Sequence, residues 1–181
     1  MSWCKRKFSG SSFVMRGFMR VVCFLLLLSS SIVARADDTS NCIELSVLGM
    51  HVGIWEGTYS HYDANGKLVD SHSTRLEVSL DCNSWEQTNI YSWDDGKTVR
   101  VSFPGQILGD SSLSIETDQI SGLAKEIGQS VYVVLDYRNS SKISYEIINL
   151  ASDNERIRML QTIENGEPVG WTIGRETRVQ P

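Results

Sequence analysis

Apolar and polar residues alternate with a period of two from Gly53 to the end of the chain, between short runs of Asp, Asn and Gly. Alternation points successive side chains to opposite faces of a β-strand, and Asn or Asp before Gly is typical of a tight hairpin, because Gly adopts the positive φ of such turns. The three prolines stand at the ends of these segments or at the C-terminus, so none interrupts a central strand. The pattern predicts nine strands, with bounds good to about three residues: 53–62, 67–79, 84–93, 97–103, 112–117, 130–138, 142–150, 155–164 and 168–179.

The short connections indicate how these strands assemble. That many antiparallel strands in about 130 residues form either a sandwich or an up-and-down barrel, and a chain of hairpins without long crossovers favours the barrel. The sequence therefore predicts one all-β domain over 53–181, a single antiparallel up-and-down β-barrel whose last strand, Gly170 to Val179, pairs with the first. The stretches 103–110 and 118–128 look irregular, and Ile120 to Ile127 is predicted as a short helix.

The N-terminal 36 residues have the three-part layout of a secretory signal. They contain no acidic residue; basic residues precede an apolar run, Val21 to Leu28, and small residues follow, ending Ala34-Arg35-Ala36. The alternative is a membrane anchor, but Val21 to Ala34 is shorter than the roughly 20 residues needed to span a bilayer. We expect a cleaved signal peptide over 1–36, a secreted or periplasmic mature domain and no stable membrane span after cleavage.

Charge excludes one class of partner. Cleavage after Ala36 removes six of the 17 Lys and Arg residues and none of the 22 Asp and Glu residues, so the net charge changes from −5 to −11 (11 − 22). An acidic domain without a basic surface cannot displace the counterions of nucleic acid phosphates. No nucleic acid partner is expected.

The segment between the signal and the barrel, residues 37–52, is predicted to be an N-terminal arm with one or two helical turns over Ile43 to Met50. The mature chain keeps two cysteines, Cys42 in this arm and Cys82 between the second and third strands. An even pair in an oxidising compartment predicts a disulfide, worth on the order of 3–4 kcal/mol for a closed loop of about 40 residues. Two unpaired thiols are the alternative.

The first hairpin contains several candidate binding residues. Alternation puts four residues of its first strand on one face: Trp55, Gly57, Tyr59 and His61. Asp63 and Gly66 fit a three-residue loop with a bulge, which would pair Trp55 with Arg75 in a cation–π contact. A two-residue turn at Asn65-Gly66 would instead move Arg75 to the opposite face.

The third strand and two later strands add polar groups. Four side chains share one face of the third strand: Gln87, Asn89, Tyr91 and Trp93. If they point inward, they form an amide and aromatic wall suited to a small molecule; otherwise they are cross-strand pairs on the outside. Arg158 can reach the lumen toward a ligand carboxylate or toward Glu176, and Arg178 is predicted to be a structural latch.

No catalytic motif is visible. The chain lacks a Ser-His-Asp spacing, a glycine-rich phosphate loop and a paired-Cys metal site. His61 and His72 can meet at one mouth of the barrel, but two histidines without a third ligand do not indicate a metal site, so none is predicted. A pocket with Tyr59, His61, Arg158 and Glu176 can still catalyse acid–base isomerisation or cyclisation, so whether the protein is an enzyme stays open.

Three stretches carry a resemblance to a known superfamily: Trp55 to Tyr59 with Gly66-Lys67-Leu68, Gln87 to Tyr91 before Asp94-Asp95-Gly96, and Gly170-Trp171 with Glu176-Thr177-Arg178. An opening Gly-x-Trp with an Arg near the Trp resembles the calycin superfamily of lipocalins and fatty-acid-binding proteins. Over about residues 50–180, the chain is most similar to a calycin-like family of unknown function related to the S-type bilin lyases. The resemblance implies a lipocalin-like barrel.

The first functional hypothesis is an exported barrel that binds a small, largely apolar ligand in its lumen, with no cofactor assigned. The expected contacts are Trp55, Tyr59, His61, Gln87, Asn89, Tyr91 and Trp93, with Arg75, Arg158 or Glu176 as the charged group. The second hypothesis is an isomerase, cyclase or lyase that acts on an apolar molecule in the same pocket. The third is a protein-interaction module whose barrel is filled by side chains.

Overall fold

The computed structural model describes residues 47–109 and 111–179. The predicted signal peptide, Cys42 and most of the arm lie outside this part of the chain. The elements in chain order are α1 (Val47–Met50), β1 (Gly53–Asp63), β2 (Leu68–Asp81), β3 (Ser84–Ser92), β4 (Thr98–Leu108), β5 (Ser112–Glu116), β6 (Ile120–Ile127), β7 (Ser130–Tyr137), β8 (Lys142–Ser152), β9 (Glu155–Glu164) and β10 (Glu167–Val179). Within the described residues, no helix is long and apolar enough to cross a membrane.

The strands form one closed antiparallel barrel. Each strand pairs with the next along the chain, and β10 pairs with β1 so that Trp55 lies opposite Arg178. Among the described residues, every strand therefore has a paired neighbour on each side over at least part of its length. The predicted all-β up-and-down barrel, sealed by pairing between its first and last strands, is confirmed.

Two parts of the predicted strand set were wrong. Ile120 to Ile127 was predicted to be a helix but forms β6, which pairs with β5 on one side and β7 on the other. Its buried residues, Ile120 and Ala124, are four positions apart, a spacing that fits a helix face as well as a strand face. The stretch 103–108 belongs to β4, where Pro104 is tolerated because pairing with β5 begins only at Gly105.

One end of the barrel is filled by apolar side chains. They come from α1 and from the inward faces of most strands, and include Val47, Leu48, Val78, Trp85, Leu113, Val131 and Ile148. Glu126 accepts hydrogen bonds from the Val47 and Leu48 backbone N–H groups, which fixes α1 on this end. We call it the closed end.

Arg178 joins the start of the barrel to its last strand. Its guanidinium donates hydrogen bonds to the backbone carbonyls of Met50, Val52 and Asp153. Arg178 therefore has the structural latch role predicted from the sequence.

Candidate functional site

A cavity of about 410 Å³ lies at the end of the barrel opposite α1, which we call the open end. Its lining comes from the ends of β1, β3, β7 and β9 and from the starts of β2, β8 and β10, which up-and-down topology brings together. The lining residues are Tyr59, His61, His72, Tyr91, Trp93, Tyr137, Lys142, Glu146, Arg158, Leu160, Thr162, Thr172 and Gly174. A volume of this size suits a small organic molecule.

One wall of the cavity is aromatic. The His72 ring stands at its centre, 4.4 Å from the Trp93 ring, 5.2 Å from Tyr91 and 5.9 Å from Tyr59, measured between centroids. Such spacings are those of tilted and edge-to-face aromatic contacts. The wall therefore presents adjoining ring surfaces to the lumen.

The predicted face of β3 lies on this wall. Tyr91 and Trp93 line the cavity. Deeper in the barrel, the Gln87 amide donates to Asn89 Oδ1 over 2.9 Å and the Asn89 amide donates to the Tyr91 hydroxyl over 2.7 Å. Tyr91 and Trp93 thus face the cavity. Asn89 is buried behind Tyr91, and Gln87 borders a small inner cavity of about 50 Å³.

Four buried charges form the floor between the cavity and the closed end. Arg158 makes a two-pronged ion pair with Glu146, at 2.7 and 2.8 Å, and Arg156 pairs with Glu176. The opposing charges balance, which offsets part of the cost of removing them from water. The floor therefore consists of charged side chains whose net charge is zero.

The floor also holds Tyr59, whose hydroxyl donates to Glu176 Oε1 over 2.9 Å. Burial raises the pKa of Tyr59 well above its ordinary value, so the phenol stays a neutral donor. Burial by itself lowers the pKa of the Arg158 guanidinium, but the negative charge of the adjacent Glu146 holds this pKa well above its usual range. Glu176 is engaged by Arg156 and Tyr59, so this arrangement favours a rigid floor over a proton-transfer site.

Trp55 lies beneath the floor and does not line the cavity. It is fully buried, its indole N–H donates to the His51 carbonyl over 2.9 Å, and the guanidinium groups of Arg156 and Arg178 each lie 4.2 Å from its ring centre. The arginine expected beside the tryptophan is therefore present, but Arg75 does not supply it. Trp55 is a packing residue, and its expected contact with a ligand is wrong.

Arg75 lies on the outer face, because β2 contains a bulge that the sequence did not reveal. Asp63 N–H bonds to the Lys67 carbonyl, as the predicted three-residue loop requires. The extra residue Val69 then shifts the register by one, so that Arg75 lies opposite Glu56 and forms ion pairs with Glu56 and Glu77. The expected pairing of Arg75 with Trp55 is wrong.

The same bulge orients His72, which the sequence already allowed to meet His61 at one mouth of the barrel, and Asp70, which sequence reasoning missed. It places His72 opposite Tyr59 and Asp70 opposite His61, which turns both side chains toward the open end. One nitrogen or oxygen atom from each of His61, Asp70 and His72 lies within 4.8 Å of the others. The structure thus supplies a third ligand-type side chain beside the two histidines.

Each member of this trio has a distinct setting. The Trp93 indole N–H donates to both Asp70 oxygens, at 2.9 and 3.2 Å, and this bond lowers the pKa of the carboxyl. His61 Nδ1 lies 2.7 Å from the Thr172 hydroxyl, and burial followed by the charge of His72 lowers the pKa of His61. His72 is 6% exposed, and among residues 47–109 and 111–179 neither of its ring nitrogens has a hydrogen-bond partner.

The wall opposite the aromatic rings was also missed. It contains Lys142 and Thr162, with Thr172 at the rim and Glu146 at the floor. Glu146 shares the inward face of β8 with Ser144 and Ile148. A carboxylate at an inward position of a strand was the sequence signal that could have identified Glu146 as a lumen residue. Lys142 is the first residue of its strand, where the alternation does not fix the face.

Comparisons with known proteins agree with this fold. A family described as "Domain of unknown function (DUF3598), N-terminal" matches residues 44–180. No curated protein matches the chain.

Solved structures of several proteins are similar, among them the following three. The S-type phycobiliprotein lyase of Guillardia theta is 14% identical, with 74% of this chain and 90% of the lyase covered and a TM-score of 0.61. A DUF3598 protein of unknown function from Nostoc punctiforme is 23% identical, with 75% of this chain covered and a TM-score of 0.59; the chain spans about half, 50%, of its length. Rv2717c from M. tuberculosis is 11% identical, with 76% of this chain and 100% of that protein covered and a TM-score of 0.57. The likeness to an S-type lyase barrel that the sequence motifs indicated is confirmed at the level of the fold.

Proposed function

The chain belongs to the DUF3598 family, and from this premise we propose that it is an exported barrel that binds a small, flat, largely apolar ligand at its open end. The observation that carries the proposal is the cavity of about 410 Å³ with an aromatic wall. Stacked and edge-on ring surfaces favour a planar, conjugated molecule. The third hypothesis, a barrel filled by side chains, required the absence of such a cavity.

The polar groups suggest how the ligand is oriented. Arg158, Glu146 and Glu176 satisfy one another in the floor, so none of them offers a net charge to a ligand. Lys142 lies at the rim with its ammonium 5.9 Å from the centre of the Tyr137 ring. A ligand with one acidic group would place its apolar body on the aromatic wall and the acid beside Lys142.

A role in bilin chemistry is not part of the proposal. The Guillardia theta protein is by its name a phycobiliprotein lyase, and its 14% identity carries the fold to this chain but no substrate.

Export and the Cys42–Cys82 disulfide rest on the sequence alone. The acid-free, apolar N-terminus supports a signal peptide over 1–36. Cys82 lies in the β2–β3 turn with a φ of 51°, and Cys42 lies outside the described residues. Both features stay predictions.

Native mass spectrometry of the protein purified from its own host tests the proposal. We expect the mass of residues 37–181, less two hydrogens for the disulfide, plus one stoichiometric small molecule that denaturation releases. A mass that still includes residues 1–36 would contradict export. Alkylation of Cys42 and Cys82 without prior reduction would contradict the disulfide. A protein that is free of small molecules, and that also binds no planar apolar dye in its cavity, would contradict the binding proposal.

A further inference from the structure

The open end brings together three side chains of the types that bind transition metals. His61 comes from β1, and Asp70 and His72 come from β2. Their juxtaposition depends on the Val69 bulge, since the regular register would point Asp70 and His72 away from the lumen. We propose that His61, Asp70 and His72 form a binding site for a divalent transition-metal ion such as zinc.

The setting of His72 is the strongest argument. A histidine that is 94% buried, with both ring nitrogens lacking a hydrogen-bond partner among the described residues, is costly unless something else engages it. Its Nδ1 lies 3.5 Å from Asp70 Oδ2, which is too long for a good hydrogen bond. A metal ion placed between the two would satisfy both the imidazole and the carboxylate.

The neighbours of the trio orient it as the outer residues of metal sites do. The Trp93 indole N–H holds the Asp70 carboxylate, and the Thr172 hydroxyl holds His61 at Nδ1, which leaves the Nε2 atom of His61 available. Hydrogen bonds of this kind fix the ring tautomer and the direction of the ligand lone pairs. The site is therefore supported by residues from β3 and β10 as well as by its own strands.

Coordination requires only movements at the rim. Zinc binds imidazole nitrogen and carboxylate oxygen at about 2.0–2.2 Å, which places tetrahedral ligand atoms about 3.3 Å apart. The three atoms already lie within 4.8 Å of one another, but the His61 and His72 rings are stacked, with centroids 4.8 Å apart and an angle of 26°. A rotation of the half-buried His61 ring out of this stack, with a small shift of Asp70, brings the metal into the plane of both imidazoles.

The ligand set indicates the kind of metal. Two imidazoles and one carboxylate suit zinc, copper, nickel or iron, whereas magnesium and calcium prefer sites made of oxygen ligands. Three protein ligands leave a coordination position that faces the cavity. Water or a donor atom of a cavity ligand can fill that position, but the metal site does not depend on the proposed ligand.

The test uses the full chain, stripped with a chelator and titrated with zinc chloride alone and, separately, with cobalt(II), whose visible absorption reports its coordination. Wild-type protein is expected to bind one equivalent of zinc and to give the cobalt spectrum of a site with nitrogen and oxygen ligands. The variants H61Q, D70N and H72N are each expected to weaken zinc binding by at least about 10-fold. T172V, which removes the support of His61 without removing a ligand, is expected to weaken it by about 10-fold.

Asp95→Asn is the matched control. Asp95 is an exposed carboxylate in the turn after Trp93, at the same end of the barrel, and D95N is expected to bind zinc as the wild type does. Absence of stoichiometric zinc binding by the wild type would overturn the proposal. Zinc binding by H61Q and D70N as tight as that of the wild type would overturn it as well. Circular dichroism shows whether each variant is folded. If H72N does not fold, H61Q and D70N decide the test, because they change residues at the rim.

Discussion

The two ends of the barrel are built by the same strands and differ in what faces inward. At the closed end the lumen is filled by aliphatic side chains and Trp85, and α1 packs against them. At the open end the inward residues are tyrosines, histidines, a tryptophan and hydroxyls around a cavity of about 410 Å³. The difference teaches that a packed region and a cavity are separated along the barrel axis, with the floor of ion pairs as the boundary.

Breaking the floor is expected to have the largest effect on stability. Glu176→Gln removes the charge that balances Arg156, which is 2% exposed and pairs with it. An uncompensated buried charge costs about 3–5 kcal/mol in the free energy of unfolding, which urea denaturation measures. The matched control, Glu77→Gln, breaks half-exposed pairs with Arg75 and Arg100 and should cost less than about 1 kcal/mol. Equal losses in the two variants would show that the floor is no special boundary.

Truncating the closed end should lower stability and leave recognition intact. Leu113 is 2% exposed in the apolar cluster, and Leu113→Ala is expected to lower the free energy of unfolding by about 2–5 kcal/mol through lost burial and a new cavity. Leu123, on the outer face of the next strand, is 47% exposed, so Leu123→Ala should change the free energy of unfolding by less than about 0.5 kcal/mol. The comparison of the two ends would fail if Leu113→Ala abolished binding of a planar dye under conditions where the variant is folded.

The sequence predicted the closed end and the open end unequally well. Period-two alternation is enough to predict most of the strands, the closure of β10 on β1 and the set of residues that shares a face with Tyr91, since these depend on many residues in agreement. The open end depends on one local irregularity. A single inserted residue, Val69, exchanges the faces of Arg75 and His72, and nothing in the composition of β2 marks the bulge.

Two other features were not predicted because they depend on contacts between strands. β6 adopts a strand because its neighbours β5 and β7 need a partner, although the spacing of Ile120 and Ala124 also fits a helix. The pairing of Arg158 with Glu146 joins strands β8 and β9 across the lumen-facing side. Which of its possible partners an arginine meets depends on register, and alternation alone does not specify register.

Acid should destabilise the protein partly through His51, which lies under the floor beside Arg156. Burial, followed by the charge of Arg156, lowers the pKa of His51 from 6.5 to about 3 in the folded chain. Between these values the unfolded state binds one more proton than the folded state, so stability is present above pH 6.5 and is lost as the pH falls toward 3. At pH 4.5 the loss from this residue should be about 2–3 kcal/mol. His51→Gln removes the ionisation, so its unfolding free energy should fall less than that of the wild type between pH 7 and 4.5; parallel pH profiles would contradict this cause.

The clearest effect on recognition is expected at the aromatic wall. Tyr91 lines the cavity, 5.2 Å from His72 and 6.0 Å from Tyr59 between ring centroids. Tyr91→Ala should weaken binding of a planar dye by about 10-fold, equivalent to about 1.4 kcal/mol, because the ligand loses a ring surface. Tyr145 is a tyrosine of similar strand context that is 46% exposed on the outer face, so Tyr145→Ala should leave the dye dissociation constant unchanged. If Tyr91→Ala and Tyr145→Ala had the same dye dissociation constant, the dye would not be binding at the aromatic wall, and the open end would not be the recognition site.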